Sequence, residues 1–458
     1  MSGFDTIAAA ATPPATGAVA IIRISGPAAI SIADRIFRPV AGGRLSDKPP
    51  RQVIFGTVSK PGGPVMDECL AFYFRAPKSY TGEDSVEIQC HGGMLLVSRI
   101  LRLCYEEGAR AALPGEFTRR ALLNGKLTLT QAEAVADLIH AETSEGAQNA
   151  AAQLAGPLAD ELEQMNEALL AHAAHFTAYI DYTEEDIEPP DLSESQKSLV
   201  EISRRLISLS DSFAAGRLFT EGISCVLLGR PNAGKSSLLN TLANTDRAIV
   251  TDIAGTTRDT LEASANLGGV LLRLVDTAGL RESDDPVEKI GVARAKEAAS
   301  RAGLILALFD QNQPPTKEDI AVLVEAEQSG APVIFIKNKA DLPENREMAE
   351  FLKEKTPLPI STKTGEGVKA LTKRVQELFG TGQLKPDGSI ITNRRQAEAL
   401  RRAGLHAKAA ADALMHGITP DVAWIDVESA CSALSEVTGR AVSEDILNRV
   451  FERFCVGK

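Results

Sequence analysis

Residues Gly229-Arg-Pro-Asn-Ala-Gly-Lys-Ser236 match the phosphate-loop spacing G-x-x-x-x-G-K-S/T, between an apolar run, Ile223 to Leu228, and the helix-forming Ser237-Leu-Leu-Asn. That spacing serves phosphate binding: the glycines let successive backbone N–H groups turn inward, and the following helix adds the positive end of its dipole. Asn232, Ala233, Gly234, Lys235, Ser236 and Ser237 are therefore expected around a nucleotide, with Lys235 on the β/γ-phosphates and Ser236 on Mg²⁺. Asp276-Thr277-Ala278-Gly279 closes the apolar run Leu271 to Val275, which puts a carboxylate at a strand end for Mg²⁺ and a glycine N–H near the γ-phosphate. Asn338-Lys339-Ala340-Asp341 follows Val333-Ile-Phe-Ile336, and Ser361-Thr362-Lys363 follows the next strand-like run. The Asp341 carboxylate would accept two hydrogen bonds from guanine N1–H and its amine, a donor pair that adenine lacks. Motifs in this order make GTP the expected ligand. Leu280 stands where many small GTPases carry the glutamine that orients water, so another residue must do that work.

Between Leu218 and Gly380, strand-like and helical runs alternate, as in a parallel sheet covered on both faces. The chain has 458 residues, 44% hydrophobic and 24% charged, which suits several soluble domains rather than one core. A net charge of −12 argues against nucleic-acid binding by bulk positive field, so any RNA contact is expected to be local. The six cysteines, Cys69, Cys90, Cys104, Cys225, Cys431 and Cys455, include no C-x-x-C pair, so neither a zinc site nor a disulfide framework is expected. No apolar run approaches the ~20 residues that span a bilayer. A cytoplasmic protein without a membrane segment is the expectation.

Ahead of that module, Ala18 to Ile24, Val53 to Val58, Cys69 to Phe74 and Ser85 to Gln89 read as strands and Leu95 to Glu107 as a helix, an α+β domain over 1–124. Arg23 and Glu87 interrupt apolar strands, which places them either on a solvated sheet face or in a pocket. Thr130-Gln-Ala-Glu133 has the capping-box pattern for a helix start, Gly156-Pro157 predicts a break, and a helix from about Ser193 should end at Gly216. Helical pattern resumes at Asn393 with interruptions near Gly417 and Gly439. One helical domain, 125–216 plus 384–458, with the GTPase module 217–383 inserted into it, is the expected organisation. Arg394, Arg395, Arg401, Arg402 and Lys408 recur along one helix, as a phosphate-binding stripe or an ordinary solvated face.

The stretch Thr251-Asp252-Ile253-Ala254-Gly255-Thr256-Thr257, with Asn232, closely resembles the potassium-activated GTPases whose nucleotide domains dimerise. That resemblance implies K⁺ held by Asn232, Thr251, Ile253 and Thr256, in place of an arginine finger, with Thr257 on Mg²⁺ beside Ser236. Within that group the chain resembles the MnmE (TrmE) family of tRNA-modification GTPases, through Asp5-Thr-Ile, Arg23-Ile-Ser-Gly26, Tyr80-Thr-Gly-Glu-Asp84, His91-Gly-Gly93, Pro114-Gly-Glu-Phe117 and the terminal Phe454-Cys-Val-Gly-Lys458. The family likeness implies a homodimer built through the N-terminal domains. Each would bind a one-carbon tetrahydrofolate, in the 5-formyl or methylene form, on Arg23, Glu87, Lys126 and Lys458. It further implies that Glu288 orients the hydrolytic water and that Cys455 acts directly in the modification of carbon 5 of the wobble uridine of tRNA, together with an FAD-containing partner of the MnmG/GidA type. A structural role for Cys455 stays open from the residues alone. The rival reading is a GTP-dependent RNA-binding switch in ribosome assembly, without modification chemistry. A folate enzyme regulated by an attached GTPase is a third.

Overall fold

The computed structural model describes residues 5–181, 191–245, 263–275, 302–440, 444–452 and 454–458. They form two compact units, one of Met1–Ala136, Leu154–Ala174 and Cys431–Lys458, the other of Asp137–Gln153 and His175–Ala430.

In the first unit, β1 (Ile7–Ala10), β2 (Val19–Ser25), β3 (Phe37–Pro39), β4 (Ile54–Ser59), β5 (Val65–Phe74), β6 (Ser85–His91) and β7 (Arg110–Ala111) form one sheet in the order β3-β4-β5-β6-β2-β1-β7. All neighbours are antiparallel except β1 and β7. The period-2 alternation of β2 and β6 sends Ile22, Ile24, Val86 and Ile88 to one face, where Ile32, Ala33 and Ile36 of α1 (Ala29–Ile36) and Ile100, Leu103 and Cys104 of α2 (Met94–Glu106) cover them. Each buried Ile, Leu or Val among them contributes about 1.5–3 kcal/mol by leaving water. The other residues of the same strands, Arg23 paired in register with Glu87, point to the opposite face. There Ile7, Ala9 and Ala112 pack with Phe117 of α3 (Glu116–Leu123).

The helices α4 (Leu129–His140), α5 (Ser144–Ala155) and α6 (Pro157–Asp181) follow, with Gly156 at φ +105° and Pro157 first in α6, the break that the dipeptide predicted. The start of α4 differs from expectation. The reciprocal capping pair is Thr128 with Gln131, while Thr130 lies inside the helix, buried, its hydroxyl donating to the Val437 carbonyl at 3.2 Å. Two overlapping patterns fit the sequence, and the tertiary partner of Thr130 selects between them.

In the second unit, α7 (Leu192–Asp211) and α8 (Phe213–Thr220) lead into β8 (Ile223–Leu228), α9 (Lys235–Thr245), β9 (Ala263–Leu267), β10 (Val270–Val275), β11 (Leu304–Asp310), α10 (Lys317–Gln328), β12 (Val333–Asn338), α11 (Arg346–Phe351), β13 (Leu358–Ile360) and α12 (Val368–Phe379). The sheet order is β13-β12-β11-β8-β10-β9, parallel except at β9. Leu304 to Phe309 are buried without exception, as expected of a strand covered on both faces. Gly216 does not end a helix as the pattern implied. The break falls at Ser212, and Gly216 lies inside α8, where a Cβ would sit 2.0 Å from the Ile391 carbonyl oxygen.

Beyond the sheet, α13 (Arg394–Met415) packs along α7 through small residues, with Ser203 Oγ donating to Gly404 O at 2.7 Å and Ser210 Oγ to Ala397 O at 2.9 Å. α14 (Pro420–Thr438) follows, and α15 (Glu444–Phe451) belongs to the first unit. The basic residues of α13 lie on its solvated side, where Arg401 pairs with Asp211 at 3.3 Å. The segment 137–153 binds both the β9–β10 hairpin and the chain leaving the sheet. Glu142 takes a bidentate pair from Arg273 at 2.7 and 2.9 Å, Asn266 donates to Glu145 at 3.0 Å, and Asn149 and Gln153 donate to Ile390 O at 2.9 and 2.8 Å.

These contacts give Gly216→Ala an expected loss of more than about 2 kcal/mol through overpacking. Gly380→Ala, at φ +67° with open space around it, should lose only about 1 kcal/mol of backbone strain. Denaturant midpoints of the two variants check the ordering.

Candidate functional site

Parallel strands direct their carboxyl ends to one edge, and the register puts Leu228, Val275, Asp310, Asn338 and Ile360 there. After Leu228 the phosphate loop turns with Asn232 at φ +62° and Gly234 at φ +100°. A Cβ on Gly234 would lie 2.0 Å from Asn338 Nδ2, so only glycine fits. Asn338 is buried and ties two loops together, its Nδ2 donating to Ala233 O at 2.8 Å and its Oδ1 accepting from Thr362 N–H at 3.3 Å. It therefore acts as a strut between phosphate loop and base-reading loop, a role that the motif alone did not disclose.

Lys235 Nζ donates to the carbonyls of Gly229 at 2.6 Å and Arg230 at 3.0 Å, and Ser236 and Ser237 are exposed at the start of α9. The Asp341 carboxylate accepts from the Ser361 hydroxyl at 2.7 Å, and this bond holds its carboxyl below the ordinary 3.8, with Lys363 and Lys339 adding to the effect. Ala340 N–H donates to Ile360 O at 3.1 Å, which sets the 338–341 turn against the 361–363 loop. The structure thus brings together Asn232 to Ser237, Asn338 to Asp341 and Ser361 to Lys363. Thr251 to Thr257, Asp276 to Gly279 and Glu288 lie outside the described residues.

In the first unit Arg23 is enclosed by residues distant in sequence. Its Nε donates to Glu87 at 2.9 Å, its Nη1 reaches the Gly457 carbonyl at 3.5 Å, and the rings of Tyr80 and Phe117 each lie 5.6 Å from its guanidinium carbon. Only 18% of the Arg23 side chain and 17% of the Glu87 side chain are exposed, so both are largely enclosed rather than set on a solvated sheet face. Tyr80 bonds Thr118 at 2.9 Å, and burial pushes its phenol above the usual range.

The C-terminal tail is part of this pocket. Gly115 N–H donates to Cys455 O at 3.3 Å and Phe117 N–H to Lys458 O at 3.2 Å, while Gly457, at φ +101°, abuts Ala10 so closely that a Cβ would lie 2.0 Å from its carbonyl oxygen. Lys126 is exposed, its stem 3.3 Å from the position a Cβ would take on Gly82. Cys455 is exposed, and the other five cysteines are buried. Tyr80, Phe117 and Thr118 were not singled out as site residues. The signal available for them was an aromatic in each of two turn-rich motifs.

Behind the pocket lies a carboxylate and guanidinium network. Arg120, 1% exposed, donates to Asp5 at 2.9 Å, to Glu116 at 2.9 Å and to both Glu83 oxygens at 3.2 Å. Burial would raise the Glu116 carboxyl, but the bonds from Arg110, Leu113 N–H and Arg120 outweigh it and hold the group below its ordinary 4.5.

A doubly wound sheet with a phosphate loop and a guanine-reading motif at its carboxyl edge defines a P-loop GTPase. Residues 6–126 match the family model for the GTP-binding protein TrmE N-terminus, and residues 129–455 match that for the MnmE helical domain. The chain is 46% identical over 458 residues to the tRNA modification GTPase MnmE of Chloroflexus aurantiacus, covering 99% of this chain and 100% of that protein. It is 42% identical over 468 residues to its counterpart from Roseiflexus castenholzii, covering 99% of both. Among solved structures, the G domain of the T. maritima FeoB iron transporter is 27% identical, covering 34% of this chain and 98% of that one, with a TM-score of 0.26. The chain belongs to the MnmE (TrmE) family.

Glu116→Gln should destabilise the first unit by about 3 kcal/mol at neutral pH, because it leaves Arg110 and Arg120 short of charge. A carboxyl depressed in the folded state stabilises fully above its unfolded value, here about 4.5, and the contribution is lost as pH falls through the lower folded value. Unfolding midpoints of the full chain and the variant should therefore converge in acid below that value.

Proposed function

We propose that this protein hydrolyses GTP to drive the modification of carbon 5 of the wobble uridine of certain tRNAs, working with an FAD-containing partner. The observation that carries this reading is the docking of the Cys455 to Lys458 tail beside Arg23, on a chain that matches MnmE relatives over nearly its whole length. The functional parts are an N-terminal domain over 1–124, a helical domain over 125–216 plus 384–458, and a GTPase domain over 217–383.

GTP lies across the carboxyl edge, with guanine on Asp341 and the Ser361 loop and the phosphates in the 229–236 loop. Ser236 and Thr257 would hold Mg²⁺, whose positive charge would offset the negative charge of the β/γ-phosphates. K⁺ is held by Asn232, whose left-handed backbone leaves it exposed on the loop, together with Thr251, Ile253 and Thr256. Glu288 orients the water that Leu280 cannot.

The pocket around Arg23 suits a one-carbon tetrahydrofolate. Tyr80, 38% exposed, offers an apolar face for a flat heterocycle, Glu87 offers a carboxylate to its N–H groups, and Lys126 and Lys458 offer positive charge to its acidic tail. Cys455, the exposed thiol of the tail, is placed by sequence next to these residues and takes part in the modification. A homodimer through the N-terminal sheets is supported by the row Phe55, Leu70, Gln89 and Ile21 on the face that carries Arg23, where Phe55 is 51% and Leu70 37% exposed. Among the described residues no helix is long and apolar enough to cross a membrane, and a cytoplasmic site of action fits a tRNA substrate.

GTP turnover should be faster in KCl than in NaCl by at least an order of magnitude, the scale expected of a fixed positive charge at the transferring phosphate; equal rates would remove the cation from the scheme. Mass spectrometry of tRNA nucleosides from a strain lacking the protein should show loss of the wobble-uridine modification. An unchanged profile would favour the ribosome-assembly switch instead.

A further inference from the structure

Outside the GTPase motifs, the turn that ends β11 is bound to both halves of the nucleotide site. Asp310 closes a strand of buried apolar residues and is itself only 5% exposed. Its Oδ1 accepts from Asn312 N–H at 3.1 Å, and its Oδ2 accepts from Lys339 Nζ at 2.6 Å and lies 3.9 Å from Arg230 Nη2. Arg230 Nε in turn lies 3.6 Å from Oδ1 of Asp319, which is fully buried. The other Asp319 oxygen accepts from Thr316 N–H at 2.9 Å and from the Thr316 hydroxyl at 2.8 Å, the capping box of α10. Charges thus alternate from Asp319 through Arg230 and Asp310 to Lys339. The neighbours of Asp310 continue the attachment: Gln311 N–H donates to Asn338 O at 3.1 Å, Gln311 Nε2 to Leu342 O at 2.8 Å, and Asn312 Nδ2 to Pro343 O at 3.0 Å.

Two carboxylates this far from water must be compensated by fixed cations. Here one cation belongs to the phosphate loop and the other to the base-reading turn. Lys339 has φ +65°, a conformation that costs a non-glycine residue energy and persists only where surrounding bonds hold it.

We propose that Asp310, backed by Asp319, is a positioning residue for GTP, fixing the phosphate loop and the base-reading turn in the relative geometry that one nucleotide must bridge. It acts through Lys339 and Arg230 and does not touch the nucleotide. Without it, nucleotide binding itself must order Lys339, and affinity falls for GDP and GTP alike. This inference rests on the reading of these loops as the GTP site.

The test is titration of the full-length protein with fluorescent GDP and with a non-hydrolysable GTP analogue, for the wild type, Asp310→Asn, Lys339→Ala and the double variant. Absence of binding by the wild type would sink the reading of the site rather than the role of Asp310. With wild-type binding intact, Asp310→Asn should raise Kd for both nucleotides by about tenfold. KM for GTP should rise in step while kcat at saturation stays within about twofold, the mark of uniform binding. The double variant should lose clearly less than the sum of the two single losses, because Lys339 carries much of the action of Asp310. An affinity within about twofold of wild type, or losses that add in the double variant, overturns the proposal, as does a lowered unfolding midpoint with unchanged affinity. Should Asp310→Asn not fold, Arg230→Met and Asp319→Asn test the far end of the same chain of charges, and unchanged Kd in both overturns it.

Discussion

The tail of the chain closes on the turn that follows its first sheet, and the contact is made by main chain. Gly115 and Phe117 donate to the carbonyls of Cys455 and Lys458, and Gly457 fits against Ala10 only because it has no side chain. Backbone hydrogen bonds of this kind fix position to fractions of an ångström, since neither donor nor acceptor has a rotamer to lose. Arg23 depends on that closure. One of its nitrogens meets Gly457 O, another meets Glu87, and Phe117 from the contacted turn forms part of the wall. The cluster around Arg23 is thereby assembled from residues 434 positions apart.

The second site follows a different logic. A parallel sheet gathers its strand ends at one edge, so short loops that bind different parts of one ligand become neighbours without further design. What remains is to hold those loops against one another. Asn338 does this by side-chain bonds to Ala233 O and Thr362 N–H, and the alternating charges from Asp319 to Lys339 do it in parallel. Both devices are buried, where an unmet polar group costs more than it would in water, and that penalty sharpens the geometry.

The segment 137–153 connects helices to sheet within the second unit. It grips the β9–β10 hairpin through Glu142 and Glu145 and the chain leaving the sheet through Asn149 and Gln153. A bidentate guanidinium–carboxylate pair resists rotation as well as separation, so it holds the hairpin and the helical segment in one fixed geometry.

Much of the architecture was legible in the residues alone, because its signals are local. Strand alternation placed β2, β4 and β6 within a residue or two of their observed spans, Gly156-Pro157 marked its helix break, and phosphate-loop spacing identified the nucleotide edge. Where two local patterns overlapped, or where one residue type serves two purposes, only tertiary structure chose. Thr128 rather than Thr130 caps α4 because Thr130 has a distant carbonyl to bind, and Gly216 sits inside α8 because the backbone of Ile391 passes too near for a Cβ. Alternation along their strands favoured a solvated face for Arg23 and Glu87, and only the tertiary arrival of Tyr80, Phe117 and Gly457 encloses Arg23. Asp310 is tied to the site by Lys339 and Arg230, contacts that no local pattern marks. The sequence by itself determined which chemistry the chain carries, since motif residues and their spacing are local properties. Which side chains hold that chemistry in place was decided by burial and long-range contact, which no local pattern encodes.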